Sequence, residues 1–232
     1  AIQQGLLCPS SGKRMSHNPT NASRLQNTQR LEPSACLTTH HNMEDILINI
    51  KKELRANMNG IASAHMRQTD DYRINWGIEL PRLNNIAKEF EASRSLAQKL
   101  WNESVRECKI LACILMPTEE CDEDTCDIWA ESIRTEEIAM MFCLYLTQRL
   151  PYASTKAFQW IAGSNAMLHN CGYLTLCHLM RKHDMSDDAQ QEFLDQASTA
   201  LDNKYAIKAL QIYASLSKDK AKKVKNIAEY LG

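Results

Sequence analysis

Between Thr135-Glu136-Glu137 and Gln148-Arg149 the chain carries nine consecutive apolar residues, Ile138 to Leu146. A bilayer-crossing helix needs about 20 such residues, so this run is too short to span a membrane. With no polar face of its own, it predicts a helix buried on all sides, the middle layer of a helix stack with neighbours on both faces. The two acids at its start and Arg149 at its end suit the helix dipole. The rest of the chain must therefore supply helices to cover it, and its composition can. Gly and Pro number only 7 and 6, and the second half is dominated by Leu, Ala, Lys, Glu, Ile, Met and Gln, which are mostly strong helix formers.

Helical periodicity recurs from Met43 onward, at roughly 43–57, 59–68, 80–91, 94–102, 104–116, 124–133, 136–149, 154–163, 165–182, 187–201, 204–216 and 218–231. No segment shows strand alternation. Thr135, Ser186 and Ser217 stand where they can cap free amides, and Pro81, Pro117 and Pro151 mark breaks. Antiparallel helix pairs returning about every 35–45 residues are the pattern of a HEAT-like solenoid; an irregular helical bundle is the alternative on spacing alone. Residues 1–42 are rich in Ser, Asn, Thr, Gln, Pro and His without either period, and are expected to be a disordered or loosely packed extension. Met43 is a candidate natural start, which makes 43–232 the expected folded domain.

Charge is unevenly divided. Residues 1–42 hold Lys13, Arg14, Arg24 and Arg30 against Glu32, a balance of +3, so the remainder carries −4 of the total of −1. The folded part thus lacks a general electrostatic footprint for nucleic acid. A local strip exists, however: Lys204 and Lys208, then Lys218, Lys220, Lys222, Lys223 and Lys225. It reads either as a phosphate-contacting rim or as a solvated face. The cysteines number nine with no Cys-x-x-Cys pair, which fits a reducing, cytoplasmic setting. No signal-peptide pattern or membrane span is expected.

The stretch Met58 to Arg67, containing His65-Met66-Arg67, is followed by Tyr72-Arg73-Ile74-Asn75-Trp76-Gly77-Ile78-Glu79-Leu80-Pro81. Farther on come Leu100-Trp101 with Arg106-Glu107, and Trp160-Ile161-Ala162-Gly163-Ser164-Asn165 with His169-Asn170. In order and spacing these segments resemble the DNA alkylation repair family, the HEAT-like-repeat alkylpurine DNA glycosylases, over about Met43 to Gly232. The resemblance implies an all-α, HEAT-like repeat α-α superhelix (solenoid) that binds duplex DNA on its concave face and excises alkylated purines without a cofactor.

The departures fall on chemistry. Against the family's Trp-Asp-x-x-Asp block stands Asp127-Ile128-Trp129-Ala130-Glu131, with Glu131 at the catalytic aspartate and Asp127 at the tryptophan. His65 replaces the tyrosine of the first segment, and Asn170, after His169, replaces a DNA-contacting arginine. By resemblance the candidate catalytic residue is Glu131. The candidate DNA contacts are Trp129, Trp76, His65, Asp127, His169, Asn170, Lys204, Lys208, Lys220 and Lys223.

Losing a cationic alkylated base needs little acid assistance, because the base leaves neutral; a carboxylate must instead stabilise the oxocarbenium-like sugar. Glu131 with Trp129, or with Trp76 and Trp160 from neighbouring segments, could do this. Alternatively Glu131 is a helix-face acid and the tryptophans are core, leaving a non-catalytic scaffold for DNA-structure or protein recognition. The acidic run Glu119, Glu120, Asp122, Glu123, Asp124 and Asp127 lacks a calcium-loop glycine and reads as a solvated loop. His169, Cys171, Cys177, His178 and His183 lack the tight ligand pairs of zinc sites and read as core cysteines with surface histidines, so no metal is expected.

Overall fold

A computed structural model describes residues 34–69, 72 and 74–230, with side chains over 43–68, 72 and 74–227. Twelve α-helices are formed by the described residues: α1 (Ser34–Ala56), α2 (Gly60–Thr69), α3 (Leu80–Ala87), α4 (Arg94–Trp101), α5 (Arg106–Leu115), α6 (Glu123–Ser132), α7 (Glu136–Tyr145), α8 (Ala153–Ala162), α9 (Ala166–Met180), α10 (Asp187–Ser198), α11 (Lys204–Leu216) and α12 (Lys218–Tyr230). A lone parallel bridge joins Ile74 to Val105. The first helix starts at Ser34, ahead of the expected Met43; what was expected of residues 1–33 lies outside the described residues.

Local chemistry explains the helix starts. Thr135 and Ser186 accept from the amides of Ile138 and Ala189 as expected, and Ser217 accepts from that of Lys220. Ser93, Asp122, Asn165 and Asn203 cap α4, α6, α9 and α11 in the same way, satisfying amides that have no partner within the helix.

Helices α5, α7, α9 and α11 pack in succession, with α4, α8 and α10 laid on them, α6 against α9 and α12 against α11. Their first residues are 106, 136, 166 and 204. The first two steps are thus shorter than the 35–45 residues expected, because three-residue connections such as 133–135 and 163–165 leave no slack. The repeat also appears as a recurring offset in its contacts. Arg94 to Thr125, Trp129 to Gln98, Trp101 to Ser132, Arg106 to Glu137 and Tyr152 to Cys121 are hydrogen bonds between residues 31 apart. Several contacts between successive repeats therefore share one register, as stacked repeats favour, while Thr147–Thr175 and Asn170–Asn203 are offset by 28 and 33 residues.

The apolar run lies between α5 and α9 as expected, but α7 is not buried all round. Ile138, Ala139, Phe142 and Cys143 are buried, while Met140, Met141, Leu144 and Tyr145 are only half-buried. One flank of α7 faces the open side of the helix layer, and the run continues past Tyr145 as a single 3-10 turn, Thr147–Arg149.

Candidate nucleic-acid interface

The four helices α5, α7, α9 and α11 begin at one edge of the layer, and polar contacts tie their first turns together. Arg106, first in α5, grips Glu137 of α7 with Nε to Oε2 at 2.7 Å and Nη2 to Oε1 at 2.5 Å. Glu136, first in α7, accepts from Lys204 Nζ at 2.5 Å and Tyr205 Oη at 3.1 Å, both in α11. Asn203, the cap of α11, donates to Asn170 Oδ1 in α9 at 3.0 Å. These helices run parallel, as the inner members of stacked helix pairs do.

Arg106 is buried and also meets fully buried Glu107 at 3.0 Å and the carbonyl of Ile78 at 3.0 Å. Glu107 in turn accepts from the amides of Trp76 and Ile78. Burial favours the neutral form of Glu137, but the hydrogen bonds from Arg106 and Tyr72 outweigh it and hold this carboxyl below the usual range. Burial, together with the Glu137 hydrogen bond, pushes the Tyr72 phenol well up, so it stays protonated.

Beside this network lies a cavity of about 180 Å³ between the start of α5 and the α6–α7 turn. Lys109, Arg134, Ser104 and Tyr72 contribute to its walls, with the buried Ile133 and Ile138 beneath them. The half-buried Lys109 donates to the carbonyl of Trp101 at 2.7 Å and sits 4.7 Å from that indole's centre. Burial pushes its pKa down, and the neighbouring Arg134 charge adds to this. Arg134 is exposed and donates to the carbonyls of Glu131 and Ile133.

The residues expected from the sequence are dispersed. Glu131 is exposed in the last turn of α6 and does not line the cavity. Trp129 is wholly buried: its ring stacks on Trp101 at 4.4 Å with 1° between planes, and its N–H donates to Gln98 at 3.1 Å. Side chains on α6 diverge because i and i+2 project to different faces, so this tryptophan is core and not a wall beside Glu131. Asp127 accepts from Lys156 at 2.9 Å and from the Trp160 N–H at 2.8 Å. It is thus an anchor between α6 and α8. Lys156 also pairs with Glu123, and Arg94 with Asp122, so the acidic run is partly neutralised by internal cations.

Trp76 is half-buried under the guanidinium of Arg55, 5.7 Å from the ring centre. His65 is exposed on α2. His169 Nε2 lies 2.8 Å from the carbonyl of Gly163, and Asn170 holds Asn203. Of the lysines, Lys204 pairs with Glu136, and Lys220 with Asp184 at 3.1 Å, whereas Lys208 and Lys223 are exposed.

Sequence reasoning missed two groupings. One is the cavity with Lys109 and Arg134. The other surrounds the half-buried His178 near the end of α9, where burial and then the charges of Arg181, Lys182 and Lys208 lower its pKa. Arg181, Lys182 and Lys208 are exposed, and among the described residues none has a carboxylate within ion-pair distance. Pairing Lys208 with residues of α9 required knowing that α9 and α11 are parallel neighbours. Cys171 and Cys177 are buried thiols, and no group of three or more His, Cys, Asp or Glu able to hold a metal occurs among the described residues. Nor is any described helix long and apolar enough to cross a membrane.

No curated protein matches the chain. The fold is similar to a solved structure from work on "a new family of proteins related to the HEAT-like repeat DNA glycosylases with affinity for branched DNA structures", with a TM-score of 0.71 at 16% identity over 79% of this chain and 82% of that one. The family described as DNA alkylation repair enzyme matches residues 50–209. With that match extending from α1 into α11, the chain belongs to the DNA alkylation repair family.

Proposed function

We propose that this protein binds DNA through the α9–α11 side of its inner helices, favouring branched structures, and does not excise bases. The observation that carries the reading is the group of exposed cations Arg181, Lys182 and Lys208 around His178. Three charges with no carboxylate partner among the described residues, two just past the end of α9 and one on α11, suit a phosphate backbone, whose binding releases counterions. The structurally similar protein's affinity for branched DNA supports the choice of ligand.

The carboxylates argue against excision. Glu131 stands outside the cavity, and the recessed Glu137 is occupied by Arg106 and Tyr72. Stabilising an oxocarbenium-like sugar needs a carboxylate presented to it, not one already paired.

The test measures binding to plain duplex, to a four-way junction and to duplex containing 7-methylguanine across a salt series, with base release followed in the same samples. The expected result is salt-dependent binding, tighter for the junction, without release. In the Arg181→Gln, Lys208→Gln double variant the slope of log affinity against log salt should shrink by about 1.8, at ~0.9 per phosphate contact. Base release would overturn the non-catalytic reading. Absence of binding at low salt would overturn the DNA reading and leave a scaffold for a protein partner.

A further inference from the structure

We propose that Met58 and Ile61, at the start of α2, form an apolar wedge that packs on the base-pair faces laid open at a DNA branch point, with Lys52 and Arg55 of α1 on the flanking phosphates. The inference rests on the DNA-binding reading above and supplies what it lacks. Arg181, Lys182 and Lys208 meet a phosphate backbone, which duplex and junction share; a preference for branches needs a group that meets bases.

Three observations carry the wedge. First, α2 wears its side chains the wrong way round for a helix that serves only the fold. Ser63 is its buried residue, 5% exposed and donating to the carbonyl of Asn75 at 3.0 Å, whereas Ile61 is 87% exposed. Met58, just before the Asn59 cap, is 59% exposed. Single apolar side chains scattered over a surface are ordinary, but here two that are more than half exposed flank one helix start.

Second, that start is open above and fixed below. A Cβ on Gly60, between the two, would meet nothing within 4 Å, so no other part of the described chain lies over it. Beneath, the Asn59 amide donates to the Trp76 carbonyl at 2.9 Å, and the Trp76 amide donates to Glu107 in the first turn of α5. The wedge is therefore mounted at the edge where the inner helices begin.

Third, the charge beside it fits phosphate. Lys52 and Arg55 are exposed one turn apart on α1, and neither has a carboxylate partner among the described residues; the intervening Glu53 is held by Arg82 at 3.1 Å. The Met58 amide donates to the Arg55 carbonyl at 3.3 Å, so cation and wedge share the turn that ends α1. Isoleucine and methionine are side chains that proteins drive between base steps, and in a continuous duplex the step must first be unstacked. An open branch point is already unstacked, so the apolar contact is gained there without that cost.

The experiment measures affinity of the intact protein for a fully paired three-way junction and for a plain duplex of equal length, in the parent and in Met58→Ser, Ile61→Ser and the double variant. Both side chains are exposed, so the thermal midpoint should not move. The double variant should lose about tenfold for the junction, less than full burial of both side chains is worth, and under about twofold for the duplex. In the junction complex, NMR contacts should run from the Met58 and Ile61 methyl groups to base protons at the branch point. A junction preference that survives the double variant, or equal losses for junction and duplex, would overturn the wedge and leave the DNA reading standing. Absence of binding to either DNA sinks that reading and the wedge with it. A parent protein that sediments as a dimer, with the double variant a monomer, would overturn the wedge by assigning the patch to a second copy of this chain.

Discussion

Arg106 and Glu137 join the first turns of α5 and α7 through two hydrogen bonds of 2.7 and 2.5 Å, and Arg106 is 4% exposed. The same guanidinium reaches Glu107 and the carbonyl of Ile78, so it stitches three segments at one point. Removing one partner of a buried ion pair leaves the other charge uncompensated. Arg106→Ala is therefore expected to cost ~3–5 kcal/mol, read as the change in free energy of unfolding in urea. A loss under 1 kcal/mol would mean that water replaces the guanidinium.

Trp129 and Trp101 form the stacked centre of the core, extended by Phe142 and Trp160. Trp129→Ala should cost ~3–5 kcal/mol, with Trp129→Phe markedly milder. If Trp129 instead formed a ligand wall, the alanine variant would keep its thermal midpoint and lose DNA affinity; the two measurements together decide.

Gly77 adopts φ +69°, and a Cβ there would lie 2.4 Å from the Asn59 carbonyl oxygen and 2.4 Å from the Ser63 amide nitrogen. Both atoms are backbone at the start of α2, where they cannot swing aside. Gly77→Ala is expected to exceed the ~1–2 kcal/mol of left-handed strain alone and to speed hydrogen exchange in α2. Unchanged stability would show that the two segments separate freely.

Glu131→Gln is expected to change stability by no more than ~0.5 kcal/mol, the usual range for a surface site, and to leave DNA binding unaltered. Base release by the parent protein that disappears in this variant would restore Glu131 as a catalytic carboxylate.

Stability should fall in acid through identifiable groups. Glu137 has a folded-state pKa below its unfolded value of ~4.3. Its contribution is full above that value and is lost as pH falls through the folded-state pKa. Asp122 is held at about 2 by the side chain and backbone of Thr125, then by Arg94, so its loss extends from ~3.9 down to about 2. Stability curves between pH 6 and 2 should be flatter for Glu137→Gln than for the parent protein; identical slopes would remove Glu137 from the account.

The sequence by itself determined the helices, several of their caps, the family and the placement of the apolar run between neighbours. These follow from periodicity, from side chains that reach amides two or three residues away, and from motifs in order, all of which are short-range. It did not reveal that Trp129 and Glu131, two residues apart, point to core and solvent, or that Asp127 ties α6 to α8. Tertiary structure alone brought Lys109 beside Arg134 and Lys208 beside His178, and paired Arg106 with Glu137. The reason is geometric. A recurring offset of 31 residues arises from helix length plus linker length plus the register of one repeat on the next, and that register is chosen by packing of the whole stack rather than by any local stretch.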